Sequence, residues 1–179
     1  MKPKNIVFIA QSLDGYISDK KGGIDWLHST PNPENDDLGY LDLMNEIDAI
    51  VMGRNTFDVV CGFEGEWPYS KHLFVLSHSL NKVPKKCEGK VTILNGNVTA
   101  ILEQIHNKGF LNLYIDGGQT IHNFLEADKI DELRMTTIPI LLGGGVSLFN
   151  EMSIAMEFDH LSTTVYINQL VQSHYRRKR

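Results

Sequence analysis

The stretch 112–125 constrains the fold most, because its pattern is that of a strand that meets a helix through two glycines. The apolar run 113–115 predicts a buried strand, and apolar residues recur at helical spacing after Gly117 and Gly118. No Cβ shields the backbone at such a turn, and the first N–H groups of the helix point outward with the positive end of its dipole. The stretch therefore predicts either a seat for a phosphate or a tight turn that binds nothing.

The rest of the chain repeats the alternation of strands and helices. A second strand, 48–52, also breaks at a glycine before a helix, and the pattern predicts further strands at 5–10, 73–76 and 91–94, helices at 35–47 and 98–107, and a hairpin within 158–171. This order predicts an α/β domain with a mostly parallel sheet. With 179 residues, 42% of them hydrophobic, we expect one domain spanning 1–179.

Charge and composition narrow the partners to small molecules. The formal charge of −5 argues against nucleic acid, and no apolar segment reaches the roughly 18 residues of a membrane span. The start of the chain does not resemble a secretory signal. Cys61 and Cys87 lack metal-ligand spacing, so we expect free thiols in a cytoplasmic protein and no metal site.

Polar residues cluster where the predicted strands end, which is where parallel sheets bind ligands. They are Ser12 and Asp14 after the first strand, Gly53, Arg54 and Thr56 after the second, Ser77 and His78 after the third, and Gly117, Gly118 and Thr120 after the fifth. Two helix starts at one edge can hold a pyrophosphate between them. Arg54 adds a cation with fork geometry, and the Thr56 hydroxyl can cap its helix or bind a phosphate oxygen.

This set of motifs resembles the dihydrofolate reductase superfamily. It is most similar to the reductase domain of the bifunctional riboflavin-biosynthesis deaminase–reductase and to its stand-alone relatives. The motifs span nearly the whole chain and comprise 12–15, 48–56, 75–77, 116–118, and 139–145 with Leu148 and Phe149. The resemblance implies a three-layer fold, with helices on both faces of a mixed, mostly parallel sheet and a C-terminal antiparallel hairpin. It also implies NADPH as the hydride donor.

The resemblance assigns roles to individual residues. The residues implied to line the cofactor phosphates are Gly53, Arg54, Thr56, Gly117, Gly118, Gln119 and Thr120. Arg54, Ser77 and His78 would surround the adenosine 2′-phosphate, and Ala10 and Ile17 would flank the nicotinamide. Trp26 resembles the tryptophan of a mobile loop that closes over the active site, and we expect it to bind substrate together with Leu41.

Two departures from the family patterns bear on the substrate. Riboflavin-type reductases have a lysine two positions before the alanine of the first strand, and this chain has Phe8 there, which cannot bind a ribose phosphate. Dihydrofolate reductases have a carboxylate early in the first helix, and that position falls on Asp37. Asp37 is either the proton donor or only a helix-start acid, and Asp14 is the competing donor, or only a turn residue before Gly15.

Three functions remain open from the sequence. The leading hypothesis is an NADPH-dependent reductase of a pterin-like or pyrimidine-like heterocycle. The alternatives are 5-amino-6-(5-phosphoribosylamino)uracil reductase and a non-catalytic NADPH-binding module. The apolar C-terminal strand region 165–171 predicts an open sheet edge, and the resembling reductases pair, so we expect a homodimer.

Overall fold

Strands and helices alternate along the chain in the computed structural model, which describes residues 2–179. The strands are β1 Lys4–Ser12, β2 Tyr16–Ser18, β3 Ala49–Gly53, β4 His72–Leu76, β5 Val91–Leu94, β6 Asn112–Asp116, β7 Glu132–Ile138, β8 Val146–Ser147, β9 Phe158–Tyr166 and β10 Leu170–Arg177. The α-helices are α1 Tyr40–Glu46, α2 Arg54–Gly62, α3 Val98–His106 and α4 Gly118–Glu126. Short 3₁₀ turns cover Asp25–His28 and Lys85–Cys87.

Eight strands form one mixed sheet in the order β5-β4-β3-β6-β1-β7-β10-β9. The first six are parallel to one another, and β10 runs antiparallel to both β7 and β9. The apolar run of β1 lies in the middle, where Ile6 and Val7 are fully buried. The predicted dihydrofolate reductase-like fold is confirmed, including the C-terminal antiparallel hairpin.

Side chains alternate between the two faces of the sheet and build one core on each. Val51 and Ile115 face α3 and α4, whereas Met52 and Tyr114 face α1 and α2. The sheet is therefore covered on both sides, which explains why its central strands are almost continuously apolar.

The first α-helix is shorter than the predicted 35–47 because the residues before it take left-handed backbone conformations. Asn35 and Leu38 have φ of 52° and 56°, and Gly39 has φ of 83°. The Asp37 carboxylate lies in this loop and accepts hydrogen bonds from the backbone N–H of Leu41, at 2.6 Å, and of Gly39, at 3.3 Å. Asp37 thus caps α1 from outside the helix.

The late start of α1 changes which residues it buries. Leu41, predicted on the buried stripe, is 63% exposed, whereas Leu43, Met44 and Ile47 are buried. Tyr40, the first residue of the helix, packs against Phe8. The prediction that Leu41 faces the site is therefore wrong, because the helix begins five residues later than expected.

A small ribbon of β2 and β8 covers the start of α4. It depends on Gly145, which has φ of 145° and whose Cβ, if it had one, would overlap the carbonyl oxygen of Ser18. The glycine at position 145 therefore lets β8 approach β2 closely. Among residues 2–179 no helix is long and apolar enough to cross a membrane.

Candidate functional site

Two helix starts contact each other through reciprocal glycine–threonine pairs. A Cβ on Gly53 would lie 2.9 Å from Oγ1 of Thr120, and a Cβ on Gly117 would overlap Oγ1 of Thr56. Each threonine, in the first turn of its own helix, thus packs against the glycine that precedes the other helix. We call this arrangement the crossed Gly–Thr pairs.

Sheet register brings the two glycines side by side. β3 and β6 are parallel neighbours in which Met52 pairs with Asp116, so the next residues, Gly53 and Gly117, stand at the same level. Gly117 has φ of +87°, a conformation that side-chain-bearing residues rarely adopt. The sequence therefore needs glycine at 117 both for its backbone angle and for contact with Thr56.

Neither of these helix starts is capped by a side chain. At α3, by contrast, Oδ1 of Asn97 accepts the N–H of Ala100 at 2.9 Å, while α2 and α4 follow glycines that offer no acceptor. First-turn N–H groups of a helix need partners, and their positive dipole end favours an anion. The crossed Gly–Thr pairs therefore place two uncapped helix starts beside one another.

Both starts open into a cavity of about 960 Å³ along the carboxyl ends of the parallel strands. The structure brings together every residue predicted to bind the cofactor. All eleven line this cavity: Ala10, Ile17, Gly53, Arg54, Thr56, Ser77, His78, Gly117, Gly118, Gln119 and Thr120.

The basic side chains on the cavity wall, among the described residues, are those of Arg54 and His78. Nε of Arg54 is held by Asp58 at 2.7 Å, and the Arg54 side chain, which lines the cavity, is 40% exposed. Ser77 is buried, and its hydroxyl accepts the N–H groups of Ser79 and Leu80. Ser77 therefore shapes the turn that presents His78.

Another part of the wall is aromatic. Phe8, Tyr40, Tyr69 and Tyr114 line it from β1, α1, the segment before β4, and β6. Sequence reasoning noted Phe8 but missed the three tyrosines, because their approach depends on contacts between distant segments. We call these four residues together with Asp116 the tyrosine end of the cavity.

Asp116 is the acid of this site, and the sequence prediction gave it no role. It is the last residue of β6, lines the cavity, and accepts the N–H of Gly117 at 2.8 Å through Oδ1. Burial raises the pKa of Asp116 to about 6, and the hydrogen bond from the Gly117 N–H and the neighbouring Tyr114 hydroxyl lower it only in part. An acid directly before the Gly-Gly turn of a central strand was the signal that could have found it.

The two predicted proton donors lie elsewhere. Neither Asp14 nor Asp37 is among the residues that line the cavity. The carboxylate of Asp14 accepts hydrogen bonds from Ser12 Oγ at 2.6 Å and from the N–H groups of Leu142 and Gly143. The bond from Ser12 is the main reason why the pKa of Asp14 is lowered, which makes it a poor acid at neutral pH.

The predicted substrate residues also lie outside the cavity wall. Trp26 is buried against Ile138 and Leu170, and its neighbours Ile24 and Leu27 contribute to the wall instead. Leu41 points away from it, as described above. Within residues 2–179 we find no group of three or more His, Cys, Asp or Glu side chains arranged to hold a metal ion.

Comparison with known families agrees with this geometry. Residues 3–172 match the model of the RibD C-terminal domain.

The chain belongs to the RibD C-terminal domain family.

The predicted resemblance is thereby confirmed at the level of the family, and individual relatives cover the full length. The crystal structure of a protein from Shewanella sp. PV-4 that was provisionally named a riboflavin biosynthesis protein is 52% identical, with a TM-score of 0.95 over 98% of this chain and 99% of the other. The uncharacterized protein YwjB of Bacillus subtilis (strain 168) is 32% identical over 98% of both chains.

A more distant structure shares the fold. Dihydrofolate reductase from Enterococcus faecalis, in a complex with NADP(H) and RAB-propyl, has a TM-score of 0.68 at 19% identity. The alignment covers 98% of this chain and 97% of the other. This chain therefore has a dihydrofolate reductase-like fold.

The raised pKa of Asp116 predicts a pH-dependent cost to stability. The Asp116 carboxyl holds its proton more tightly in the folded protein than in the unfolded chain. The stability that this tighter binding of the proton adds is fully present below the ordinary pKa of 3.8, and it is lost as pH rises through about 6. We expect Asp116→Asn to be more stable than the parent at pH 8, by up to about 3 kcal/mol, with the difference closing towards pH 4. Denaturant unfolding at both pH values measures it, and a difference independent of pH would contradict it.

Proposed function

We propose that this protein is an NADPH-dependent reductase of a pterin-like or pyrimidine-like heterocycle. The observation that carries the proposal is the pair of uncapped helix starts held together by the crossed Gly–Thr pairs, with Arg54 at the same wall. Membership of a reductase-domain family supports the reaction type, and the NADP(H) complex of a protein with the same fold supports the cofactor.

The residues of the cavity fit a dinucleotide phosphate. The N-terminal turns of α2 and α4 would hold the pyrophosphate, and Arg54 with His78 would face the 2′-phosphate. Ala10 and Ile17 would border the nicotinamide, which lies between the helix starts and the tyrosine end. When bound, NADPH supplies the hydride, and the protein supplies orientation and a dry wall.

A reduction of this kind also requires a proton, and Asp116 is placed to supply it. It is the acid on the cavity wall whose pKa is raised to about 6 by burial, so its protonated form persists close to neutral pH. Asp14 and Asp37 bind backbone N–H groups outside the wall. We therefore assign the proton to Asp116 rather than to either acid expected from the sequence.

A second candidate is 5-amino-6-(5-phosphoribosylamino)uracil reductase. The riboflavin-biosynthesis name of the 52% identical Shewanella relative and the family description favour it. Phe8 weighs against it, because this apolar ring stands where riboflavin-type reductases have a lysine for the ribose phosphate. A third possibility is a non-catalytic NADPH-binding module. It would have the same cofactor-binding residues and would bind NADPH without turnover.

The difference in affinity between NADPH and NADH tests the proposed cofactor site. We expect NADPH to bind at least about tenfold more tightly than NADH, because one charge-assisted contact from Arg54 to the 2′-phosphate is worth about 1.4 kcal/mol. Arg54→Ala should remove most of this preference, while Arg176→Ala, which removes an exposed cation of β10, should not. Isothermal titration calorimetry measures both, and equal affinities for the two nucleotides in the parent protein would contradict the assignment.

Turnover of the two acid variants tests the reaction. With dihydropterin and NADPH, we expect the parent rate to fall as pH rises above about 6, because the donor loses its proton. Asp116→Asn should lower the rate by about 10²-fold or more and flatten this limb. Asp37→Asn serves as the matched control and should keep the parent profile. A full rate in Asp116→Asn would exclude Asp116 as donor, and NADPH binding without turnover of any heterocycle would favour the binding module.

We also propose that the protein is a cytoplasmic homodimer. Both cysteines are free thiols, which suits a reducing compartment. β9 is the edge strand of the large sheet, and Leu161, Val165 and Val171 on the hairpin expose 39–58% of their surface. Light scattering should give twice the mass of one 20.2 kDa chain, and a monomeric mass would contradict the dimer.

A further inference from the structure

The tyrosine end is assembled from four separate parts of the chain. Phe8 comes from β1, Tyr40 from the first turn of α1, Tyr69 from the segment before β4, and Tyr114 with Asp116 from β6. All five line the same cavity as the predicted cofactor residues. An aromatic wall with one acid, built by distant segments, is the usual form of a pocket for a planar ligand.

Contacts within the wall hold the rings in place. The rings of Phe8 and Tyr40 meet edge to face, with centroids 6.3 Å apart. Tyr69 packs edge-on against buried Trp67 at 5.6 Å, and the Tyr114 hydroxyl donates a hydrogen bond to the carbonyl of Phe8 at 2.9 Å. The pocket is therefore preorganised, and a flat ligand can enter it without reordering the rings.

The polar groups of this wall are left for a ligand. Within residues 2–179, the hydroxyls of Tyr40 and Tyr69 have no hydrogen-bond partner in the protein, although both residues line the cavity. Burial, and after it the charge of Asp116, raises the pKa of Tyr40 and of Tyr69, so both hydroxyls stay protonated. The groups that act on the Asp116 pKa besides burial are Gly117 and Tyr114, and neither is a cation.

The cations nearest to Phe8 along the sheet are already neutralised. Arg134 pairs with Phe8 in the register of β1 and β7, but its guanidinium binds Glu46 at 2.6 Å and Glu132 at 2.8 Å. Lys4 binds the same two carboxylates, each at 2.9 Å. Among the described residues that line the cavity, Arg54 is the one lysine or arginine, and it is assigned to the cofactor 2′-phosphate. A second phosphate at the tyrosine end would thus face aromatic rings and Asp116 without a cation of its own, which is unfavourable.

We propose that the tyrosine end binds an unphosphorylated, planar amino-heterocycle whose ring nitrogen receives the proton of the Asp116 carboxyl and whose other polar groups are met by the Tyr40 and Tyr69 hydroxyls. This inference rests on the proposed function, since it names the substrate class of that reductase. It separates this chain from a reductase of a phosphoribosylated pyrimidine. Phe8 is the residue that sets the difference.

The test compares three ligands: dihydropterin, 5-amino-6-ribosylaminouracil, and the same aminouracil with its 5′-phosphate. Calorimetry on the NADP⁺-saturated protein should show that dihydropterin binds. The aminouracil with the 5′-phosphate should bind no more tightly than the aminouracil without it. Phe8→Lys should improve the affinity for the phosphorylated ligand about tenfold relative to the unphosphorylated one. Preference of the parent protein for the phosphorylated ligand by tenfold or more would overturn the inference.

A second variant keeps the test decisive if Phe8→Lys fails to fold. Tyr69→Phe removes one hydroxyl from the wall and should weaken dihydropterin binding about fivefold while NADPH affinity stays at the parent value. Unchanged dihydropterin affinity in Tyr69→Phe would overturn the inference as well. NADPH titrations of the parent protein separate failure of the proposed function from failure of the substrate class. A parent protein that does not bind NADPH contradicts the proposed function. A parent protein that binds NADPH but prefers the phosphorylated ligand contradicts only the substrate class.

Discussion

The contact between the crossed Gly–Thr pairs is the constraint on which the rest of the site depends. Thr56 and Thr120 each occupy the space that a Cβ would take on the opposite glycine, so any larger residue at Gly117 would separate α2 from α4. Because β3 and β6 are adjacent and in register, the two helices begin at the same level of the sheet. Two positive dipole ends are thereby held together, and an anion between them relieves their mutual repulsion.

One strand links this anion seat to the acid and to the aromatic wall. Side chains alternate along β6, so Tyr114 and Asp116 project to the face of α1 and α2, while the chain continues through Gly117 into α4 on the other face. The N–H of Gly117 also holds the Asp116 carboxylate. A nucleotide bound at the start of α4 would therefore lie beside Asp116, the one carboxyl among the described residues that line the cavity.

Sequence patterns predicted the local parts of this site well and its long-range parts poorly. Most of the residues predicted to bind the cofactor lie at a strand end or a helix start, and such positions follow from apolar runs and glycines. Ala10 and Ile17 lie within β1 and β2 and were predicted from the family resemblance instead. Leu41 was misplaced because left-handed residues before Gly39 delay α1, and the hydrophobic period does not reveal them. Tyr40 and Tyr69 reach the cavity only through folding of distant segments. Trp26 was expected over the site, but it packs into a small core with Ile138 and Leu170.

The most direct test is a calorimetric titration of Gly118→Ala with NADPH, accompanied by thermal unfolding. A Cβ at Gly118 would meet the Cδ1 end of Ile17 at 2.7 Å, which a flexible side chain can relieve, so the fold should tolerate it. The same methyl would intrude on the first turn of α4, where the pyrophosphate would bind.

Gly62→Ala, where a Cβ has no neighbour within 4 Å, is the control. The geometry predicts an affinity loss of about tenfold or more in Gly118→Ala alone, with little change in melting temperature. A folded Gly118→Ala protein that binds NADPH as tightly as the parent would contradict the central claim that the start of α4 is part of the cofactor site.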